Sequence, residues 1–188
     1  MPDLLASAVQ AVRRGRPVVY PTDTLWGLGV RPNDRAGVAR LYALKERPGG
    51  LPVSVAFSSY EELEPFVRLS TASRATIRRW LPGPFTFLLR ASPKARREWV
   101  PSVLGESQTV GVRIPDHPLA RALLARTGPL TTTSANRHGN PPCRTAAQAR
   151  RVFGHRVGAY VSGGPSPSGR PSTIVALTGA RPHILRRS

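Results

Sequence analysis

Apolar and polar positions along this chain switch between helical and strand spacing many times. Leu4, Leu5, Ala8, Val9 and Val12 recur at helical intervals, predicting a first helix with one apolar stripe. Asp3 caps that helix and Gly15 closes it. Pro17-Val18-Val19-Tyr20 reads as a buried strand. Pro21-Thr22-Asp23-Thr24 then interrupts the apolar pattern, and Leu25 to Val30 resumes it. A polar break between two apolar runs suits a binding loop at a strand end. A second helix starts at Asn33 or Asp34, turns Val38, Leu41 and Tyr42 inward, and delivers Lys45 and Arg47. Leu51 to Phe57 is the next strand, and Ser58-Ser59 before Glu61-Glu62 makes a capping box for a short acidic helix. A helix from Ser70 or Ser73 through Ile77 to Trp80 stops at Pro82-Gly83-Pro84, and Thr86 to Leu89 is a strand.

In the second half, Thr109 to Pro115 is a strand that holds Arg113 inside an apolar alternation. An arginine buried there without a partner would be costly. With 10 acidic residues in all, a structural carboxylate and a ligand carboxylate are both candidates. Asp116-His117-Pro118 opens a helix to about Arg126, with Pro118 in its first turn. Leu130 to Thr133 runs as a strand into Ser134-Ala135-Asn136, whose extended form puts Ser134 and Asn136 on one face. They either present polar groups to a ligand or tie down their own turn. Thr145 and Gln148 box a helix through Phe153, Gly158 to Ser162 is a strand, and Gly163 to Gly169 is a loop. Ser172 to Val175 and His183 to Arg186 close the chain as strands. Strands alternating with helices, with no repeat and no linker, predict an α/β fold: one domain over 1–188 with a mainly open, twisted, mixed sheet and flanking helices.

One short stretch carries most of the candidate chemistry. Pro48 disfavours helical backbone at Arg47, so the chain should become extended there. Residues two apart share a face in an extended segment, which lets Lys45 and Arg47 converge on one anion with Glu46 turned away. Of 28 Lys+Arg in the chain, only Lys45 and Lys94 are lysines. A compact ammonium beside a planar fork is a distinct chemical choice. The same residues also suit a solvated helix end whose cations favour the C-terminal dipole.

Composition narrows the class. The chain is 188 residues long, 40% hydrophobic and 20% charged, ordinary values for a globular protein with a continuous core. No apolar run approaches a membrane span of about 18 residues, and no signal-peptide pattern is present. The single cysteine, Cys143, excludes an intramolecular disulfide and a cysteine-rich metal site. A cytoplasmic protein with no membrane partner is expected. The net charge of +18 favours polyanions such as nucleic acid or nucleotides. Its arginine pairs are scattered along the chain, which equally suits an arginine-rich composition on solvated faces.

Familiar catalytic patterns are missing. There is no GxxxxGK[ST] loop, no HExxH and no pair of carboxylates placed for acid–base work, and Gly27 and Gly29 lack the third glycine of a dinucleotide fingerprint. His117, His138, His155 and His183 stand in dissimilar contexts, so no protein metal site is predicted. Cys143 has no activating neighbour. Hydroxyls, one amide and several cations at strand ends remain. That set positions and stabilises charge around a phosphorylated substrate, without a covalent intermediate.

Tyr20-Pro-Thr-Asp-Thr-Leu-Trp-Gly-Leu28, Lys45-Glu-Arg47-Pro48, Leu81-Pro-Gly-Pro-Phe-Thr86, Val112-Arg-Ile-Pro115, Thr133-Ser-Ala-Asn136 and Pro171-Ser-Thr-Ile-Val175 follow one another in the order of the YrdC/Sua5 family. The chain resembles that family over nearly its whole length, in the short form without a C-terminal extension. The resemblance implies a YrdC/RibB-like fold and a threonylcarbamoyl-AMP synthase. Such an enzyme takes L-threonine, bicarbonate and ATP; threonine carbamate attacks the α-phosphate and pyrophosphate leaves. The adenylate then passes to a threonylcarbamoyl transferase that modifies tRNA. Position by position, the resemblance puts L-threonine on Thr24, Arg113, Ser134 and Ser172, with Arg113 on its carboxylate. It puts ATP on Lys45, Arg47, Asn136, Arg144 and Arg186, with Thr109 alongside. Lys45 and Arg47 are the catalytic cations, and Mg2+ rides on the ATP phosphates.

Three positions depart from the family pattern. Trp26 stands where tyrosine is usual, Leu51 where a polar nucleotide contact is common, and Ala56 where histidine is frequent. Trp26 still offers an aromatic wall, whereas Leu51 and Ala56 each remove a contact worth about 1 kcal/mol. Two other readings stay open: a YciO-like protein that binds tRNA or double-stranded RNA without synthase activity, and carbamoyl transfer to another acceptor. Arg113 on a strand favours an enzyme, because RNA binding would want it exposed.

Overall fold

The computed structural model describes residues 4–49, 51–105, 107–163, 168–179 and 181–188. Period-two alternation divides the first strand, β1 (Val18–Tyr20), between two apolar layers. Val19 packs with Leu28, Leu41 and Val55, while Val18 and Tyr20 pack with Val9, Leu123 and Leu124 on the other face. The remaining strands are β2 (Gly27–Gly29), β3 (Ser54–Ala56), β4 (Phe85–Arg90), β5 (Thr109–Arg113), β6 (Leu130–Ser134), β7 (Ala159–Tyr160), β8 (Thr173–Ala176) and β9 (His183–Arg186). They form one nine-stranded sheet in the order β7-β1-β2-β6-β3-β5-β4-β8-β9. The pairs β1–β7, β3–β5 and β4–β8 are parallel and the others antiparallel, so the sheet is mixed and open, as expected.

Helices cover both faces. They are α1 (Ala6–Arg13), α2 (Arg35–Lys45), α3 (Tyr60–Leu63), α4 (Thr71–Trp80), α5 (Pro93–Glu98), α6 (Pro118–Thr127) and α7 (Ala146–Phe153). Helices α1 and α6 supply Val9, Val12, Leu123 and Leu124 to the smaller layer, and α2 and α7 supply Leu41, Leu44 and Phe153 to the larger one. Among the described residues no helix is long and apolar enough to cross a membrane.

Most helix starts obey the expected capping chemistry. Asp34 Oδ1 accepts from Gly37 N at 2.8 Å, Ser70 Oγ from Ser73 N at 3.1 Å, and Thr145 Oγ1 from Gln148 N at 3.1 Å. Ser59 caps α3, and Glu62 answers by accepting from Ser58 N at 2.8 Å. Asp3, expected to cap the first helix, lies outside the described residues, as does 164–167 of the loop after β7. Leu4 is 59% exposed, so the apolar stripe of α1 begins only at Leu5. The strand expected over 51–57 shrinks to β3, because the Leu51 and Pro52 carbonyls accept from the Arg47 side chain instead of a ladder partner. Helix α5 escaped the sequence pattern although its Ser92 cap and Pro93 first position are both present.

Candidate functional site

The middle of the sheet opens on one cavity. Strands β2, β6, β3, β5, β4 and β8 are consecutive neighbours. Residues from all of them, with Arg186 of β9, line a cavity of about 250 Å³. Its wall is rich in hydroxyls: Thr24, Ser54, Thr86, Thr132, Thr133, Ser134 and Ser172. Registers Gly27↔Ser134, Ser54↔Thr132 and Ala56↔Arg113 bring β2, β6, β3 and β5 to the same end. Gly111 makes room in this wall. A Cβ there would lie 2.6 Å from Ser54 Oγ and 3.2 Å from Thr86 Cγ2.

Three guanidiniums face the cavity, those of Arg47, Arg113 and Arg186. Arg113 has the carboxylate partner that its burial demands: Nη2 donates to Asp23 Oδ1 at 2.6 Å and Nη1 to Thr24 Oγ1 at 2.9 Å. Of the two candidates the sequence left open, a structural carboxylate is therefore in place. Arg47 spends Nε on the Leu51 carbonyl at 3.2 Å and Nη2 on Pro52 at 3.0 Å. Arg186 donates from Nε and Nη2 to the Ser172 carbonyl, at 3.2 and 2.8 Å. Burial and the nearby Arg113 charge lower the affinity of Arg186 for its proton. Backbone carbonyls thus aim two of these cations, and like charge crowds one end of the cavity.

The stretch around Lys45 corrects the expected geometry. Glu46 takes the left-handed conformation (φ 52°, ψ 37°) and caps α2, so residues 45–47 do not run extended. Lys45 and Arg47 consequently diverge. The Lys45 ammonium is buried behind the wall, donating to the Ser134 carbonyl at 2.6 Å and the Asn136 carbonyl at 2.7 Å, with Asn136 Oδ1 at 3.4 Å. Burial, then the Arg47 charge, pull its pKa down to about 8.

The other expected site residues divide. Thr24, Ser134 and Ser172 line the cavity, and Ser172 Oγ lies 2.8 Å from Thr86 Oγ1. Asn136 does not line it; its amide donates to the Arg137 and Asn140 carbonyls at 2.9 and 2.5 Å while Oδ1 accepts from Ser134 Oγ at 2.5 Å. It ties down its own loop. Thr109 stands at the far end of β5, hydroxyl to hydroxyl with Ser107 at 3.3 Å, and is not in the wall. Arg144 is exposed beside Gly169, also outside the wall. Ala56 packs in the smaller apolar layer, and Leu51 is 41% exposed.

Sequence reasoning missed Asp23, Thr86, Thr132 and Ser54. Asp23 was the readable one: an acid inside the polar break, in a chain with a strand arginine needing a partner. Several polar atoms here bond to nothing although buried: Trp26 Nε1, Asp23 Oδ2 and Arg113 Nε. Each such orphan costs about 1–3 kcal/mol. Among the described residues no group of three or more His, Cys, Asp or Glu could hold a metal ion.

Comparisons with known proteins identify the family and the fold. A family model described as Telomere recombination, covering Sua5, YciO and YrdC proteins, matches residues 10–188. The threonylcarbamoyl-AMP synthase of Chromohalobacter salexigens is 41% identical over 174 residues, 92% of this chain and 91% of that protein. The crystal structure of P. abyssi Sua5 complexed with L-threonine superposes with a TM-score of 0.88 at 30% identity, covering 95% of this chain. This chain spans about half, 52%, of that Sua5 chain. The structure of E. coli YciO matches with a TM-score of 0.87 at 26% identity, covering 98% of this chain and 88% of that one.

Proposed function

We propose that this chain, which belongs to the Sua5/YciO/YrdC family, is a threonylcarbamoyl-AMP synthase acting through a single domain over 1–188. The substrates are L-threonine, bicarbonate and ATP, and the products threonylcarbamoyl-AMP and pyrophosphate. The observation that carries this reading is one cavity in which three guanidiniums meet a wall of hydroxyls. Such a lining matches a polyphosphate and a small carboxylate held side by side. A volume of about 250 Å³ accommodates the amino acid and the reacting phosphoryl group, with the nucleoside toward the mouth.

In this reading Arg113 seats the threonine carboxylate, and Thr24, Ser134 and Ser172 hold the rest of the amino acid. Arg47 and Arg186 hold the ATP phosphates with the nitrogen positions that the carbonyl bonds leave free. Asn136, Arg144 and Thr109 act at one remove from the nucleotide, the first by fixing the loop that carries Ser134. Lys45 lends its field from behind Ser134 as charge builds at the α-phosphorus. No side chain forms a covalent bond to substrate. Threonine carbamate attacks phosphorus, the bond to pyrophosphate breaks, and the fixed cations stabilise the departing charge. Mg2+ enters on the ATP phosphates.

The reaction is set in the cytoplasm, and the adenylate goes on to a downstream threonylcarbamoyl transferase that modifies tRNA. RNA binding without synthesis is the less favoured reading, because Arg113 is buried and aimed at a cavity. The test is direct: supply ATP, L-threonine, bicarbonate and magnesium, and follow pyrophosphate together with the adenylate by mass. Threonine-dependent product supports the synthase. Its absence from folded protein refutes it.

A further inference from the structure

We propose that Asp23 is a gate on the amino-acid site, holding the guanidinium of Arg113 until the carboxylate of an incoming substrate displaces it. This deepens the synthase reading and rests on Arg113 as the seat of the threonine carboxylate.

A guanidinium offers a carboxylate two paired edges: Nε with one Nη, or the two Nη together. In Arg113 the Nε edge is closed, because Nε is buried and bonds to nothing. At the other edge one hydrogen of each Nη is engaged, Nη1 on Thr24 Oγ1 at 2.9 Å and Nη2 on Asp23 Oδ1 at 2.6 Å. Arg113 nevertheless lines the cavity. A substrate carboxylate reaching Arg113 thus meets a guanidinium already paired with an anion, and taking the place of Asp23 frees the Nη2 hydrogen for a two-oxygen grip.

Asp23 is built to let go. It holds Arg113 through one oxygen only, and its other oxygen, Oδ2, is buried without a partner. A carboxylate with a stranded oxygen exchanges more readily than one gripped at both. The backbone around it stays anchored independently: Thr22 Oγ1 donates to the Leu25 carbonyl at 2.6 Å and accepts from Thr24 N at 3.1 Å. Release is then a side-chain rotation that leaves the loop in place. A second donor waits within electrostatic reach, His117, whose Nδ1 is buried and bonds to nothing. Until displaced, Asp23 keeps Arg113 from being a buried charge without a counter-ion. The gate also selects, since a ligand without a carboxylate has nothing to exchange.

Isothermal titration of L-threonine and of L-threoninamide into wild-type and Asp23→Asn protein tests this. Asparagine keeps the shape and an acceptor oxygen but loses the charge, and charge-assisted bonds are about twice as strong as neutral ones. Asp23→Asn should therefore bind L-threonine about five-fold more tightly, with no gain for the amide. Asp116→Asn, which removes an exposed charge three residues from Arg113, should change nothing. Equal or weaker threonine binding by a folded Asp23→Asn protein overturns the gate. If that variant does not fold, Asp23→Ala is titrated in its place against the same expectation. Failure of the underlying reading looks different: an Arg113→Lys protein that binds L-threonine as well as wild type removes the carboxylate seat, and the gate with it.

Discussion

Arg113→Met should unfold more easily than its position in a binding wall implies, and the reason is the charge it leaves behind. The Arg113 and Asp23 side chains are 8% and 12% exposed, so their ion pair is largely out of water. Removing one partner of a buried pair costs about 3–5 kcal/mol, because the other stays as an uncompensated charge. Here the stranded group is a carboxylate with one oxygen already unpartnered, slightly open to solvent, which sets the cost near about 3 kcal/mol. For a domain of this size each kcal/mol shifts Tm by about 2–4 °C, so the expected drop is about 6–12 °C. Methionine keeps most of the aliphatic stem, so little of that drop is lost packing.

The double variant Asp23→Asn/Arg113→Met separates charge from packing. It removes the stranded carboxylate, so it should recover most of the loss and melt within about 3 °C of wild type. Activity should not return with it. Loss of the carboxylate seat costs about 2–5 kcal/mol of binding, a fall in kcat/KM for threonine of roughly 30- to 5,000-fold. Circular dichroism melts beside pyrophosphate-release assays give both readouts. A single variant that melts with wild type, or a double variant no more stable than the single, would refute the reasoning.

Lys45 carries an opposed pair of pH effects. Its ammonium, at about pKa 8, is needed as a cation, so kcat/KM should fall as pH rises through about 8. Stability should move the other way: the folded value lies below the ordinary 10.5, so between about 8 and 10.5 the unfolded chain binds more protons and this group's contribution rises with pH. Lys45→Met should flatten both trends, seen in pH–rate profiles and in melts across the same range. Gly111→Ala pushes a methyl into Ser54 Oγ and Thr86 Cγ2. It should raise the threonine KM several-fold in steady-state assays while Tm falls by no more than a few degrees.

Much of this fold follows from local chemistry that a linear reading captures. Asp34, Ser59, Ser70 and Thr145 each satisfy an amide of the helix they precede, so hydroxyl or carboxylate next to an apolar period was enough to find those helices. The strand cut short at 51–53 was lost to a side chain five residues or fewer away, since Arg47 claims the carbonyls that a ladder would use. Periodicity carries no information about such capture. The site was legible in its cations and less so in its wall. Arg113 announced a missing partner by its charge inside an apolar strand, but Asp23 lies 90 positions away in the chain. Thr86, Thr132 and Ser54 look like any half-buried strand residues, and only the order of β6, β3, β5 and β4 brings them together.

The use of lysine at 45, in a chain with one other lysine and many arginines, follows from what surrounds the charge. The ammonium donates to the carbonyls of Ser134 and Asn136, with the Asn136 amide oxygen beyond, an arrangement of three acceptors around one small cation. A guanidinium brings five donors in a plane, and a pocket of that shape would leave some of them buried and unpaired. At the other end of the same residue, the Lys45 carbonyl accepts from His138 N at 2.7 Å. Lys45 therefore staples the loop after β6 to the end of α2 from both its side chain and its backbone. Drawing the Ser134 carbonyl inward leaves the rest of Ser134 in the cavity wall. The cation behind that wall is screened from solvent, so its field acts on the cavity through protein and not through water. One residue thus shapes the wall and charges it, which explains why neither a longer fork nor an exposed ammonium would serve in its place.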